Sequence, residues 1–143
     1  MMEKGYVKSL KEAFERYLGD HAPCFVPREK ISPEQAVSLI LSAGGIPVLA
    51  PPTLYHMGDE ALETLVARLK DAGLLAIEGI YSTYTPSDTR KIQSIARKFG
   101  LAISGGSDFH GENKPGLSFG TGYGRLYIHE DVLAGLKQLL PRP

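Results

Sequence analysis

Asp108 and His110 stand two residues apart within the run Gly-Gly-Ser-Asp-Phe-His-Gly at 105–111. In an extended backbone, side chains two apart leave the same face, so a carboxylate oxygen and an imidazole nitrogen can converge on one cation or on two neighbouring ones. That donor pair suits zinc, manganese or iron. Gly105, Gly106 and Gly111 let the chain turn sharply and approach a ligand closely. Spacing alone favours a plainer reading, a loop in which Asp108 caps a turn and His110 is a surface residue, because a metal centre ordinarily takes roughly three or four protein ligands.

Other candidates are weaker. Lys114 lies just past the Asp-Phe-His turn, where an ammonium could meet a phosphate or simply face solvent. Ser82 and Tyr84 could donate hydrogen bonds to an anion at the helix start marked by Pro86. Glu78, at a strand end facing the presumed site, could ligate a metal or support a ligand, and reads rather as a carboxylate paired with a nearby cation or with solvent. His21, His56 and His129 read as surface residues, and Cys24 as a small packed residue with no base beside it. Gly-Thr-Gly-Tyr-Gly at 120–124 precedes a strand-like run instead of joining a strand to a helix, so it reads as a turn. Arg90, Lys91, Arg97 and Lys98 form a solvated helix face without interleaved aromatics, which gives no strong nucleic-acid signal.

These residues need elements to hold them. A short amphipathic helix is predicted over 7–18 (Val7, Leu10, Phe14, Tyr17, Leu18), followed by a Pro-interrupted connector to Ile31. Ser32, Pro33 and Gln35 mark the start of a helix over 33–43, with Gly44 as its left-handed stop. An apolar strand over 46–50 follows. The pattern repeats as a helix over 59–72 with a strand over 74–80, then a helix capped by Thr85 with a strand over 101–104. A last strand over 125–128 precedes a helix over 130–140. Alternating strands and helices predict an α/β fold, a mostly parallel sheet of about four strands with flanking helices, whose ligands sit at the carboxyl ends of the strands. The segment after Ser104 is the richest of those ends in functional side chains.

Composition sets the outer bounds. With 143 residues the chain holds one ordinary domain's worth, and 16 basic against 16 acidic residues leave no broad field to attract nucleic acid or anionic lipid. One cysteine excludes a disulfide framework within the chain and suits a reducing, cytoplasmic setting. Every apolar run is broken well short of the ~18 residues a membrane helix needs.

The 105–111 run, preceded by the apolar strand Leu101–Ser104 and followed by Asn113-Lys-Pro115, resembles the last metal-binding motif of the PHP (polymerase and histidinol phosphatase) family of phosphoesterases. The resemblance extends through Val26–Lys30, Ser32–Ala36, the Gly-Gly-Ile-Pro-Val-Leu-Ala run ending at Ala50, Ile77-Glu78, Tyr81–Thr83 and Gly120–Gly122. It implies the C-terminal half of a distorted β/α barrel at 32–143, with 1–31 a remnant of an inserted subdomain. It also implies a divalent metal held in part by Asp108 and His110, and hydrolysis of a phosphate ester or nucleotide. Two departures bear on activity. The family's His-x-His segment has no counterpart here, and the family's Ala-His-Pro is Ala50-Pro51-Pro52, with no donor atom at Pro51. Where relatives read Glu-Val-Tyr-Tyr-Ser-Thr-His, this chain reads Glu78-Gly-Ile-Tyr-Ser-Thr-Tyr84, so a histidine at the site rim is replaced too. The resemblance therefore implies a chain inactive alone that oligomerises or docks on a separate chain carrying the N-terminal half, or else a non-catalytic binding or assembly relative.

Overall fold

The computed structural model describes residues 1–27 and 30–140, so Arg28 and Glu29 of the Val26–Lys30 stretch lie outside the described residues. The chain divides into two compact units, Met1–Ile31 and Ser32–Pro143.

In the first unit, α1 (Leu10–Ala13) is capped by the Ser9 side chain, which accepts from the Glu12 amide, and it continues into a π-type turn over Phe14–Leu18. The expected helix over 7–18 thus begins later, because Ser9 supplies the cap. Its inward stripe is corrected as well: Val7 and Ala13 are buried, whereas Leu10, Phe14 and Leu18 are exposed. Cys24 is exposed, not packed.

The second unit opens with α2 (Pro33–Ser42), started by a reciprocal capping box between Ser32 and Gln35. Two orphan amides are satisfied at once, so the start is fixed locally. Then come β1 (Val48–Leu49), α3 (Asp59–Asp71), β2 (Ala76–Tyr81), α4 (Pro86–Phe99), β3 (Ala102–Gly106) and α5 (Glu130–Lys137). A second capping box, Thr85 with Asp88, starts α4, and Gly100 at φ 59° ends it. Among the described residues the sheet has three strands in the order β1-β2-β3, all parallel.

The fourth strand expected over 125–128 does not form. The Leu126 amide turns back to donate to the carbonyl of Thr121, and Gly122 and Gly124 hold left-handed turns. The segment covers β3 by side chain instead: a Cβ built on Gly105 would lie 3.1 Å from Ile128 Cδ1 and 2.9 Å from Ile80 Cβ.

The core lies where β2 meets the helices. Ile77, Val66 and Ile92 are fully buried, with Leu62, Leu69, Leu74, Ile95 and Leu101 around them. α4 packs on β2 and α3 packs on both α2 and α4. Two of the four basic residues on α4 reach across to α3, Lys91 to Asp59 and Lys98 to Glu63. Such exposed pairs contribute about 0.2–1 kcal/mol each, far less than the apolar core.

The β2–β3 register slips between Glu78 and Ile80. A Cβ on Gly79 would lie 2.8 Å from Ile103 Cδ1 and 3.7 Å from Gln93 Cγ of α4, so this position faces the helix layer. By the period of two along a strand, Glu78 leaves from the opposite face. The bulge and the alternation together put one carboxyl of β2 next to the end of β3.

Candidate functional site

At the carboxyl ends of β2 and β3 four side chains converge on or beside Asp108. The Tyr81 hydroxyl donates to Asp108 Oδ2 at 2.6 Å, and the Lys114 ammonium pairs with the same oxygen. His110 Nδ1 lies 2.7 Å from the Asp108 carbonyl oxygen and 3.3 Å from Oδ1. A carbonyl can only accept, so the neutral imidazole carries its proton on Nδ1 and keeps its lone pair on Nε2. Glu78 completes the group: a Cβ on Gly106 would lie 3.0 Å from Glu78 Oε1, so the absence of a side chain at 106 makes room for that carboxyl.

Asp108 and His110 do come together, though by another route than extended alternation. Asp108 has φ 59°, a left-handed backbone rare outside glycine, which folds the loop back so that the imidazole reaches the Asp108 main chain. Ser107, directly before it, is buried, and its carbonyl accepts from the Ser82 hydroxyl at 2.6 Å. The amide of Gly120 donates to the Ser107 hydroxyl at 3.3 Å. The 118–124 turn, closed by a Ser118–Gly122 bridge, thereby braces the Asp108 loop from behind.

The electrostatics separate the two carboxyls. Hydrogen bonds from Lys114 and Tyr81 hold Asp108 below the usual carboxylate range, so it stays ionised at neutral pH. Burial, together with the Asp108 charge, pushes Glu78 up to about 7. Among the described residues no cation pairs with Glu78, which leaves the solvent alternative of the sequence reading. Burial and then Asp108 push the Tyr81 hydroxyl well above its ordinary value, which keeps it a proton donor and not a nucleophile. Of the two carboxyls, Glu78 is the one that exchanges a proton near neutrality.

The remaining candidates are placed as follows. Lys114 lines a cavity of about 340 Å³ with Ser82, Ser107, Asp108 and Tyr123. Tyr84 donates its hydroxyl to the Glu78 carbonyl at 3.0 Å, and burial pushes it up to about 12. Pro51 follows β1 and leads into a 3-10 turn over Pro52–Tyr55 that ends at His56, an exposed residue in left-handed conformation. His21 is exposed; His129 caps α5, its Nδ1 accepting from the Asp131 amide. Among the described residues no three of His, Cys, Asp and Glu gather closely enough to hold a metal ion. The donors near Asp108 fit a metal in kind but not in number.

Tyr81 was not singled out by sequence, because its partner lies 27 residues away; an apolar strand ending in a hydroxyl-bearing ring at a strand mouth is the signal that could have found it. No family model matches the chain. It is 34% identical over 120 residues to a 3',5'-nucleoside bisphosphate phosphatase of Chromobacterium violaceum, covering 84% of this chain and 42% of that one. It is 32% identical over 143 residues to the 5'-3' exoribonuclease Rnm of Escherichia coli, covering 100% and 47%. Among solved structures, an amidohydrolase from Chromobacterium violaceum with bound sulfate superposes with a TM-score of 0.65 at 31% identity, over 99% of this chain and 49% of that one. A chain from Bifidobacterium adolescentis, named for metal-dependent phosphoesterase activity, superposes at 0.59 with 22% identity, over 94% and 46%, which speaks for the fold. The chain thus spans about half the length of the relatives it matches.

Proposed function

The chain belongs to the PHP family of phosphoesterases, and from that premise we propose that it supplies one side of a metal-dependent site that hydrolyses a phosphate ester or nucleotide. The observation that carries this reading is the convergence on Asp108: an ionised carboxylate with an imidazole whose Nε2 is free beside it, at the strand ends where such folds bind ligands. Asp108 and His110 are two metal ligands in this reading, for zinc, manganese or iron. A divalent metal would supply Lewis-acid polarisation of a phosphoryl oxygen and a water acidic enough to attack it. The chain's own residues do other work. Tyr81 orients Asp108 while staying protonated, Lys114 offers a cation to the phosphate, and Ser82 and Tyr84 stiffen the phosphate-side wall through the carbonyls of Ser107 and Glu78.

Two ligands do not make a centre, so the 143 residues supply one side of the site and the remaining ligands come from outside them. Exposed Phe109 and Phe119, packed edge to face at 6.0 Å beside the Asp108 loop, support a covered rim. A non-catalytic binding or assembly role is the second reading, favoured by Pro51 and by the Lys114 ammonium already seated on Asp108. Metal content separates the two. Purified chain, dialysed against manganese and then against buffer, is expected to retain metal well below one equivalent, and the same treatment after the complementary chain is added is expected to retain at least one. If metal stays low in the mixture, the non-catalytic reading stands.

A further inference from the structure

A second cavity of about 580 Å³, a volume in the range that small ligands occupy, shares Tyr81, Ser82 and Thr83 with the cavity at Asp108. Among the described residues Arg125 is the only formally charged one lining it. That guanidinium takes no part in the ion pairs of the described residues, whose basic members are Lys11, Arg16, Arg68, Lys91, Lys98, Lys114, His110 and His129. Tyr123 and Tyr127 line the same cavity and are 59% and 76% exposed, and although the Tyr127 ring meets His129 edge to face at 6.3 Å, both rings keep surface on which a flat group can stack. Tyr123 also lines the cavity of Asp108 and Lys114, so the two spaces share a wall that Tyr81 and Ser82 pin by hydrogen bonds to Asp108 and Ser107.

We infer that Tyr123, Arg125 and Tyr127 form a second subsite that binds a base and a phosphate of a nucleotide, next to the phosphate position at Lys114. Guanidinium recognises phosphate through a planar fork of donors, and a tyrosine ring accepts the face of any base, so the trio selects an anion attached to a flat aromatic group over a bare anion. A ligand with two phosphates would reach both Arg125 and Lys114 across Tyr123. This subsite deepens the phosphoesterase reading by naming what determines its specificity, and it needs no metal.

Isothermal titration of the full chain in EDTA, with adenosine 3',5'-bisphosphate, adenosine and inorganic phosphate as probes, tests it. The bisphosphate is expected to bind more tightly than either of the others. Arg125→Gln is expected to weaken it about tenfold, the loss of a charge-assisted contact, and Tyr123→Leu severalfold. Both positions are exposed, and an unchanged circular dichroism spectrum confirms that each variant is folded. Metal is chelated throughout the titration, so a failure of the metal-site reading leaves this result standing. Undiminished binding by Arg125→Gln or by Tyr123→Leu, or no binding of the bisphosphate by wild type, overturns it.

Discussion

Glu78→Gln is expected to stabilise the EDTA-treated chain by about 1–2 kcal/mol at pH 8 and to leave it unchanged near pH 4.5. The sign follows from where the proton sits. Burial and the neighbouring Asp108 charge raise the native Glu78 carboxyl from its ordinary 4.5 to about 7. Between those values the native state binds more protons than the unfolded chain, so stability falls as pH rises through that window. The full shift would correspond to about 3 kcal/mol, and the partial exposure of Glu78 screens some of it. Glutamine keeps the shape and cannot ionise, so it removes the loss above pH 7. Asp108 acts in the opposite sense: its carboxyl is depressed, so its contribution is present above its unfolded range and fades as pH falls. Urea unfolding at pH 4.5, 6 and 8 checks the prediction. Parallel pH profiles for wild type and Glu78→Gln would show that Glu78 is already ionised in the native state.

Ile77→Ala is expected to cost about 3 kcal/mol, within the 2–5 kcal/mol that truncating a buried isoleucine ordinarily costs. Ile77 has no exposed surface, sits on the central strand β2, and belongs to the cluster with Val66, Leu62, Leu74 and Ile92. The side chain cannot be replaced by collapse, because its strand is paired on both sides. Domains of this size hold about 5–15 kcal/mol, so the loss is a large fraction of the whole and should appear as a lower urea midpoint at unchanged slope. Leu39→Ala is the contrast: Leu39 on α2 is 62% exposed, and its truncation should fall within about 0.5 kcal/mol.

What was legible in the sequence was what short-range chemistry decides. Ser32-Pro33 with Gln35 and Thr85-Pro86 with Asp88 carry helix starts in four residues, and both boxes form as written. Gly44, Gly73 and Gly100 take the left-handed backbone at or just past helix ends. The strand over 125–128 failed because a strand requires a partner, and no local pattern reveals that the Leu126 amide turns back to Thr121. The site divides in the same way. Asp108 and His110 were visible as a pair, whereas Tyr81 and Glu78 reach Asp108 only once β2 lies beside β3 in a register that slips at Gly79. Arg125 was invisible for a related reason: its surroundings are tyrosines brought together by glycine turns, not by any spacing of charged residues.

In the proposed function the residues on Asp108 are one side of a catalytic site. That reading is tested most directly by turnover of a nucleoside 3',5'-bisphosphate with added manganese, measured for the chain alone and for the chain mixed with a polypeptide carrying a His-x-His strand. The expected result is no turnover above background alone, and turnover in the mixture that Asp108→Ala removes. Hydrolysis by the purified chain alone that Asp108→Ala abolishes would contradict it.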